Sequence, residues 1–104
     1  MIEIGGYNFS GPWPLSDKDF IDKAAIYAVL CKKTDGKYYP IYFGETGEVS
    51  TRLSNHHKSS CWTKKCDSSL YVAVLWTPSS QYGVDDRRDI ESKLIKRFNP
   101  PCND

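Results

Sequence analysis

Tyr27, Tyr42, Arg52, His56 and Glu91 are side chains of the types that together can break a phosphodiester bond. Hydrolysis of such a bond needs an activated water, neutralisation of the phosphate charge and support for the departing oxygen. Arg52 carries a planar fork that matches phosphate oxygens. His56 follows four residues later, which on a helix is one turn further along the same face, so the spacing predicts a pair directed at one place. Glu91 offers oxygen to a hard divalent cation such as Mg²⁺, which usually keeps several waters and needs few protein ligands. Two tyrosines can bring their hydroxyls to one spot if their strands pair with both side chains on the same face. A phenol titrates near about 10 when unperturbed, so nearby cations must lower it before it acts as a base.

The elements that must position these residues can be read from the pattern around them. Residues 25–31, AIYAVLC, form a short apolar run that predicts a buried strand. A turn at Asp35-Gly36 leads into a second strand over residues 38–44, giving an antiparallel hairpin in which Pro40, which cannot donate to a ladder, belongs at an edge or a bulge. After Gly44 a turn opens a helix near Glu48, with Val49 and Leu53 on its apolar face. His57 continues that stripe and is assigned to packing; residues 59–69 read as a loop or a frayed helix end. Residues 70–77, LYVAVLWT, are apolar on both faces and are placed in the middle of the sheet. Asp85 or Asp86 caps a last helix striped by Ile90, Leu94, Ile95 and Phe98, stopped by Asn99-Pro100-Pro101 and followed by a tail laid back on the domain. The expected fold is a small α/β (α+β) domain over residues 25–104, a three-stranded, mainly antiparallel sheet flanked by helices. Residues 1–24, broken by Gly5-Gly6 and Gly11-Pro12-Trp13-Pro14, read as an irregular arm packed on it by Tyr7, Phe9 and Trp13, with a helical turn capped by Ser16 or Asp17 and running through Lys23.

A chain of 104 residues with 39% hydrophobic content folds as one domain with a modest core. No apolar run approaches the roughly 20 residues of a membrane span, and the N-terminus lacks the pattern of a secretory signal, so an intracellular protein, cytoplasmic or nuclear, is expected. In that setting Cys31, Cys61, Cys66 and Cys102 are expected as buried or idle thiols rather than disulfides, with a zinc site involving Cys61 and Cys66 as the alternative. The formal charge of +1 is weak for phosphate binding, but Lys58, Lys64 and Lys65 form a cationic segment suited to substrate.

Ala25-Ile26-Tyr27, then Tyr42-Phe43-Gly44, then Arg52, His56, Glu91 and Asn103 occur in the order and spacing that resembles the GIY-YIG endonuclease superfamily. The resemblance covers residues 25–103. Ala25 stands where the family usually has glycine, Phe43 replaces isoleucine, and Thr51 precedes the arginine where some relatives carry lysine. The resemblance implies a metal-dependent endonuclease acting on DNA, with RNA left open, and leaving a 5′-phosphate and a 3′-hydroxyl. It implies Tyr27 as the base, Tyr42 as an orienting group, His56 as proton relay or phosphate contact, Glu91 as ligand to Mg²⁺ or Mn²⁺, and Asn103 as a supporting hydrogen-bonding residue. Repair, restriction and mobile-element roles all fit, with a partner protein or a homodimer for targeting. The alternatives are a module that keeps the fold and binds nucleic acid or a partner without cutting, and an interaction domain using Trp13, Trp62 and Trp76. Glu91 can instead pair with Arg87 at helical spacing.

Overall fold

A computed structural model describes residues 1–17, 22–54 and 56–103, with backbone only for Asp17 and Ser54. Its elements in chain order are β1 (Ile2–Ile4), β2 (Tyr7–Pro14), a 3-10 turn (Leu15–Asp17), β3 (Ala25–Lys32), β4 (Tyr38–Thr46), α1 (Val49–Ser54), α2 (Ser59–Lys65), β5 (Ser69–Trp76) and α3 (Val84–Phe98). The strands form one sheet in the order β1-β2-β5-β3-β4, and every pair is antiparallel.

The predicted hairpin is β3 and β4, and β5 takes the central place expected for the run that is apolar on both faces. β3 lies between β5 and β4 and is buried from Ala25 to Cys31, which is why its sequence does not alternate. Its successive side chains divide two cores. Tyr27 and Val29 face Val49, Leu53 and Trp62 on the α1–α2 side, while Ile26, Ala28 and Leu30 face Phe43, Ile90 and Leu94 on the α3 side. Pro40 lies on edge strand β4 beside a register shift: Val29 pairs with Tyr42 but Leu30 pairs with Pro40. The extra residue lets Ile41 and Tyr42, neighbours in sequence, both enter the α1–α2 core.

The sheet has five strands rather than three, because the segment expected as an irregular arm forms β1 and β2. Gly5 and Gly6 take φ of 60° and 92°, the left-handed conformation of a tight hairpin turn, and Ile4 pairs with Tyr7 across it. Pro12, which has no N–H to donate, falls within the register shift between Ser10 and Trp13 where β2 meets β5. The helical turn expected through Lys23 is represented by Leu15–Asp17; residues 18–21 lie outside the described residues.

Residues 59–65, expected as loop or frayed end, form a separate helix, α2, which buries Trp62 against the core. Residue 55, at the break after α1, lies outside the described residues. The last helix starts after Gly83, and Asp86 caps it from its first turn by accepting the Gly83 N–H at 2.8 Å. It ends where Asn99 turns left-handed at φ 46°. The tail then returns along β4, with the Cys102 N–H donating to Ile41 O at 3.0 Å.

The cysteines pair as Cys31–Cys66 and Cys61–Cys102, with Cα separations of 5.7 and 6.0 Å, which overturns both the idle thiols and the zinc alternative. Linear spacing pointed at Cys61 and Cys66 together, whereas the fold gives one to the tail and the other to β3. Among the described residues, no helix is long and apolar enough to cross a membrane.

Candidate active site

Register brings the two tyrosines together. Tyr27 pairs with Gly44 and Val29 with Tyr42, so both phenols lie on the α1–α2 face, with ring centroids 6.0 Å apart. Gly44 makes the close approach possible: a Cβ built on it would overlap the Tyr27 hydroxyl and ring, with Cε1 only 2.7 Å away. The glycine therefore lets the Tyr27 ring lie flat across β4 toward the sheet edge.

His56 lies against this pair, though not where helical spacing put it. α1 ends at Ser54, so His56 belongs to the connection to α2 rather than to the Arg52 face of a continuing helix. It is buried, with its ring packed edge-on to Tyr42 at 5.1 Å and close to Trp62 at 4.5 Å between centroids. His57, assigned to packing, is instead exposed and stacked on His56 at 4.8 Å. The chain turns after α1, and the apolar stripe that predicted His57 inside ends at Leu53.

Burial, and then the charges of His57, Arg52 and Lys58, depress the His56 pKa to about 4, so the imidazole is neutral at neutral pH. Its Nδ1 accepts the Lys58 N–H at 3.0 Å. A neutral ring that accepts at Nδ1 carries its proton on Nε2, so Nε2–H donates to the Tyr27 hydroxyl oxygen at 2.6 Å. Tyr27 thus receives a hydrogen bond from His56 and keeps its own proton, with the Tyr42 hydroxyl and the Arg52 guanidinium as its other polar neighbours.

Burial raises the Tyr27 pKa far above the ordinary phenol value, the Tyr42 phenol adds to this, and the Arg52 guanidinium opposes both. Tyr42 is raised as well, chiefly by burial, with its contact to the Tyr27 hydroxyl acting the other way and the Glu91 charge adding to the rise. Arg52 is exposed and its guanidinium sits at the Tyr27 hydroxyl, which holds its charge above the usual range. Glu91 is half-buried on α3 in the opposite layer; burial and then the Glu45 carboxylate raise its pKa, while the Glu45 N–H, Arg88 and Arg52 lower it. Tyr27, Tyr42, Arg52 and Glu91 therefore share one electrostatic neighbourhood at the β4 edge.

Two predicted residues serve the site from outside that neighbourhood. Asn103 turns its amide onto the backbone of Phe43, accepting from the N–H and donating to the carbonyl, each at 2.8 Å. It extends the sheet edge and holds in place the strand that carries Tyr42 and Gly44. Lys58 fixes His56 through its backbone, whereas Lys64 and Lys65 are exposed on the last turn of α2. Thr51, beside Arg52, is bound to Asp22, whose carboxylate takes both the Thr51 N–H at 3.1 Å and its hydroxyl at 2.6 Å.

Glu45, which no spacing in the sequence singles out, proves central. Strand alternation turns it to the α3 side, where it accepts from Arg87 Nε at 3.1 Å and pairs with Arg88 at 3.7 Å. Arg87 is accordingly the partner of Glu45 and not of Glu91. The usable signal is the alternation itself, since Glu45 follows Gly44 on a strand whose opposite face holds Tyr42. Trp62, expected as part of an interaction surface, is 2% exposed and forms part of the floor under His56 and Tyr42.

No protein-family model and no curated protein matches the sequence. Among solved structures, the crystal structure of the GIY-YIG N-terminal endonuclease domain of UvrC from Thermotoga maritima, bound to its catalytic divalent cation magnesium, superposes with a TM-score of 0.58. The match covers 81% of this chain and 86% of that one at 19% identity. The chain has the GIY-YIG fold. In this chain the paired tyrosines occupy adjacent antiparallel strands, the arginine helix follows the second, and the C-terminal helix closes the other face.

The donors at the β4 edge suit a hard cation. Glu91 contributes a half-buried carboxylate whose negative charge is disfavoured by burial and by Glu45, so a cation would relieve it, and the adjacent phenols are oxygen donors of the same class. Among the described residues no group of three or more histidine, cysteine or acidic side chains is placed to hold a metal ion, so an ion held by Glu91 would take water for most of its coordination.

Proposed function

We propose that the chain is a metal-dependent endonuclease that hydrolyses DNA phosphodiester bonds, leaving 5′-phosphate and 3′-hydroxyl ends. The observation that carries this is the pairing of Tyr27 and Tyr42 on one face of the sheet, ring centroids 6.0 Å apart, with the Arg52 charge felt by both phenols and the Glu91 charge by Tyr42. Arg52 binds the phosphate and spreads its charge over the guanidinium. Glu91 would hold Mg²⁺ or Mn²⁺, which when bound supplies positive charge at the phosphate. Tyr27 serves as the base once its own proton has passed to bulk water, a loss that Arg52 favours and burial opposes; it then takes the proton of the attacking water, and the departing 3′-oxygen is protonated by solvent. The neutral His56 donates through Nε2 to the oxygen that must carry this charge, and so acts as a positioning residue rather than a phosphate contact. Tyr42 orients the phosphate or the water, Asn103 keeps β4 in register, and Lys58, Lys64 and Lys65 extend the substrate contact.

Purified protein incubated with plasmid, branched and single-stranded DNA, with Mg²⁺ or Mn²⁺ added or chelated, tests this. Cutting that needs metal and disappears in both Tyr27→Phe and Glu91→Ala is the expected result, and unchanged cutting in both would refute the assignment. One observation favours a second reading, a module that binds nucleic acid without cutting: Tyr27 has no exposed surface and Tyr42 only 8%. Under that reading Glu91→Gln leaves Mn²⁺ affinity unaltered; under the first it lowers it.

A further inference from the structure

A cavity of about 710 Å³ opens at the end of the sheet near the tyrosine pair, lined by Lys23, Gly47, Trp76, Ser79, Ser80 and Arg87 among others. Its relation to the tyrosines follows from the sheet. Trp76 pairs with Ala25, which pairs with Thr46; the next row on the same face is Val74, Tyr27 and Gly44. The indole therefore stands one side-chain row from the Tyr27 ring, roughly 7 Å along the strands. Gly47 lies in the turn between Glu45 and the helix carrying Arg52, so the cavity and the phosphate-binding arginine share one connection.

The wall is unlike a generic apolar cleft. Trp76 supplies an aromatic surface, only partly covered by the core. Arg87, a buried cation, also lines it and spends its Nε–H on Glu45. Glu45 is shared with Arg88, and Lys23 adds a further cation to the lining. Ser79 and Ser80 bring hydroxyls, while Ala24 and Gly47 leave the volume open. An aromatic wall accepts the face of any base, and an arginine with a lysine accepts a phosphate. The volume is within the range of small-ligand sites.

We propose that this cavity seats the nucleotide next to the scissile phosphate, its base against Trp76 and its phosphate between Lys23 and Arg87. A base reaches the indole only when it is out of the duplex stack, so the substrate is single-stranded or locally unpaired nucleic acid. The identity of the ligand rests on the nuclease reading, but the cavity can be tested by binding alone.

The test is anisotropy titration of a short fluorescein-labelled oligothymidylate, and of an abasic chain of the same length, in EDTA so that nothing is cut. Wild-type protein binds the oligothymidylate about tenfold more tightly than the abasic chain, as expected for one stacked base. Trp76→Ala removes that margin. Gly47→Val does the same by filling the mouth, and it should leave the fold intact because a Cβ there meets nothing within 4 Å. If both variants keep the wild-type margin while the protein cuts DNA, the cavity assignment is overturned and the nuclease stands. If the margin is lost in both variants but the wild type cuts nothing, the cavity stands and the nuclease reading falls. A wild-type chain that binds neither probe, or binds both equally, overturns the cavity assignment, and the nuclease reading is then decided by the cleavage assay.

Discussion

Gly44 and His56 set the surroundings of the Tyr27 ring and hydroxyl. Gly44→Ala would drive a methyl group into the Tyr27 ring, and over-packing of this kind costs about 1–3 kcal/mol. Urea unfolding should show that loss, and DNA cutting should fall with it because the ring must move away from Arg52. His56 gives stability its own pH dependence. Its folded pKa of about 4 lies below the ordinary value of 6.5, so between these the unfolded chain binds the proton and the native chain does not. His56 therefore costs the native state stability as pH falls from 6.5 toward 4. Glu91, raised in the fold, acts in the opposite sense through the carboxylate range. Thermal melts of wild type and His56→Asn across that range should show a steeper acid decline in the wild type; parallel curves would contradict the buried, neutral imidazole. The meeting of Tyr27 and Tyr42 was legible because two apolar runs around an Asp-Gly turn pair as a hairpin. The His56 contact was legible only in part, because helical spacing cannot show that the helix stops at Ser54.

At the level of elements, α2 and the C-terminal tail together hold the floor and edge of the site. Cys61 in α2 is bonded to Cys102, and the next residue, Asn103, is paired with Phe43 on β4. Trp62, beside Cys61, packs under Tyr42 and His56. Replacing Cys61 and Cys102 by serine removes a crosslink spanning 41 residues and should cost about 3–4 kcal/mol on the chain-entropy account. Faster hydrogen exchange should appear at the Phe43 amide, whose partner is then no longer anchored; unchanged exchange there would mean that Asn103 holds the edge without the crosslink. None of this was visible in the order of the cysteines. Their pairing depends on where a helix and a tail come to rest, and four thiols allow several pairings at any spacing.

For the molecule as a whole, a formal charge of +1 limits how much binding can come from phosphate neutralisation. Affinity for DNA should therefore fall with salt along a shallow slope, set by Arg52 and the local lysines rather than by a global field. Replacing exposed Lys64 and Lys65 by alanine should reduce the slope of log affinity against log salt by about 2, since each lysine that neutralises a phosphate contributes about 1. Anisotropy across a salt series measures this, and an unchanged slope would remove both lysines from the substrate path.

Local pattern alone determined the β3–β4 hairpin, the apolar middle strand and the capped last helix. Strand pairing of short apolar runs, a proline excluded from the ladder and acids at a helix start are all readable within a few residues. Tertiary structure decided what depends on distant segments meeting. It added β1 and β2 to the sheet, paired the cysteines, buried His56 while exposing His57, and turned Glu45 toward Arg87 and Glu91. Each of these rests on an interaction between layers or across the sheet, whose energy comes from burial and charge neutralisation that no local spacing records.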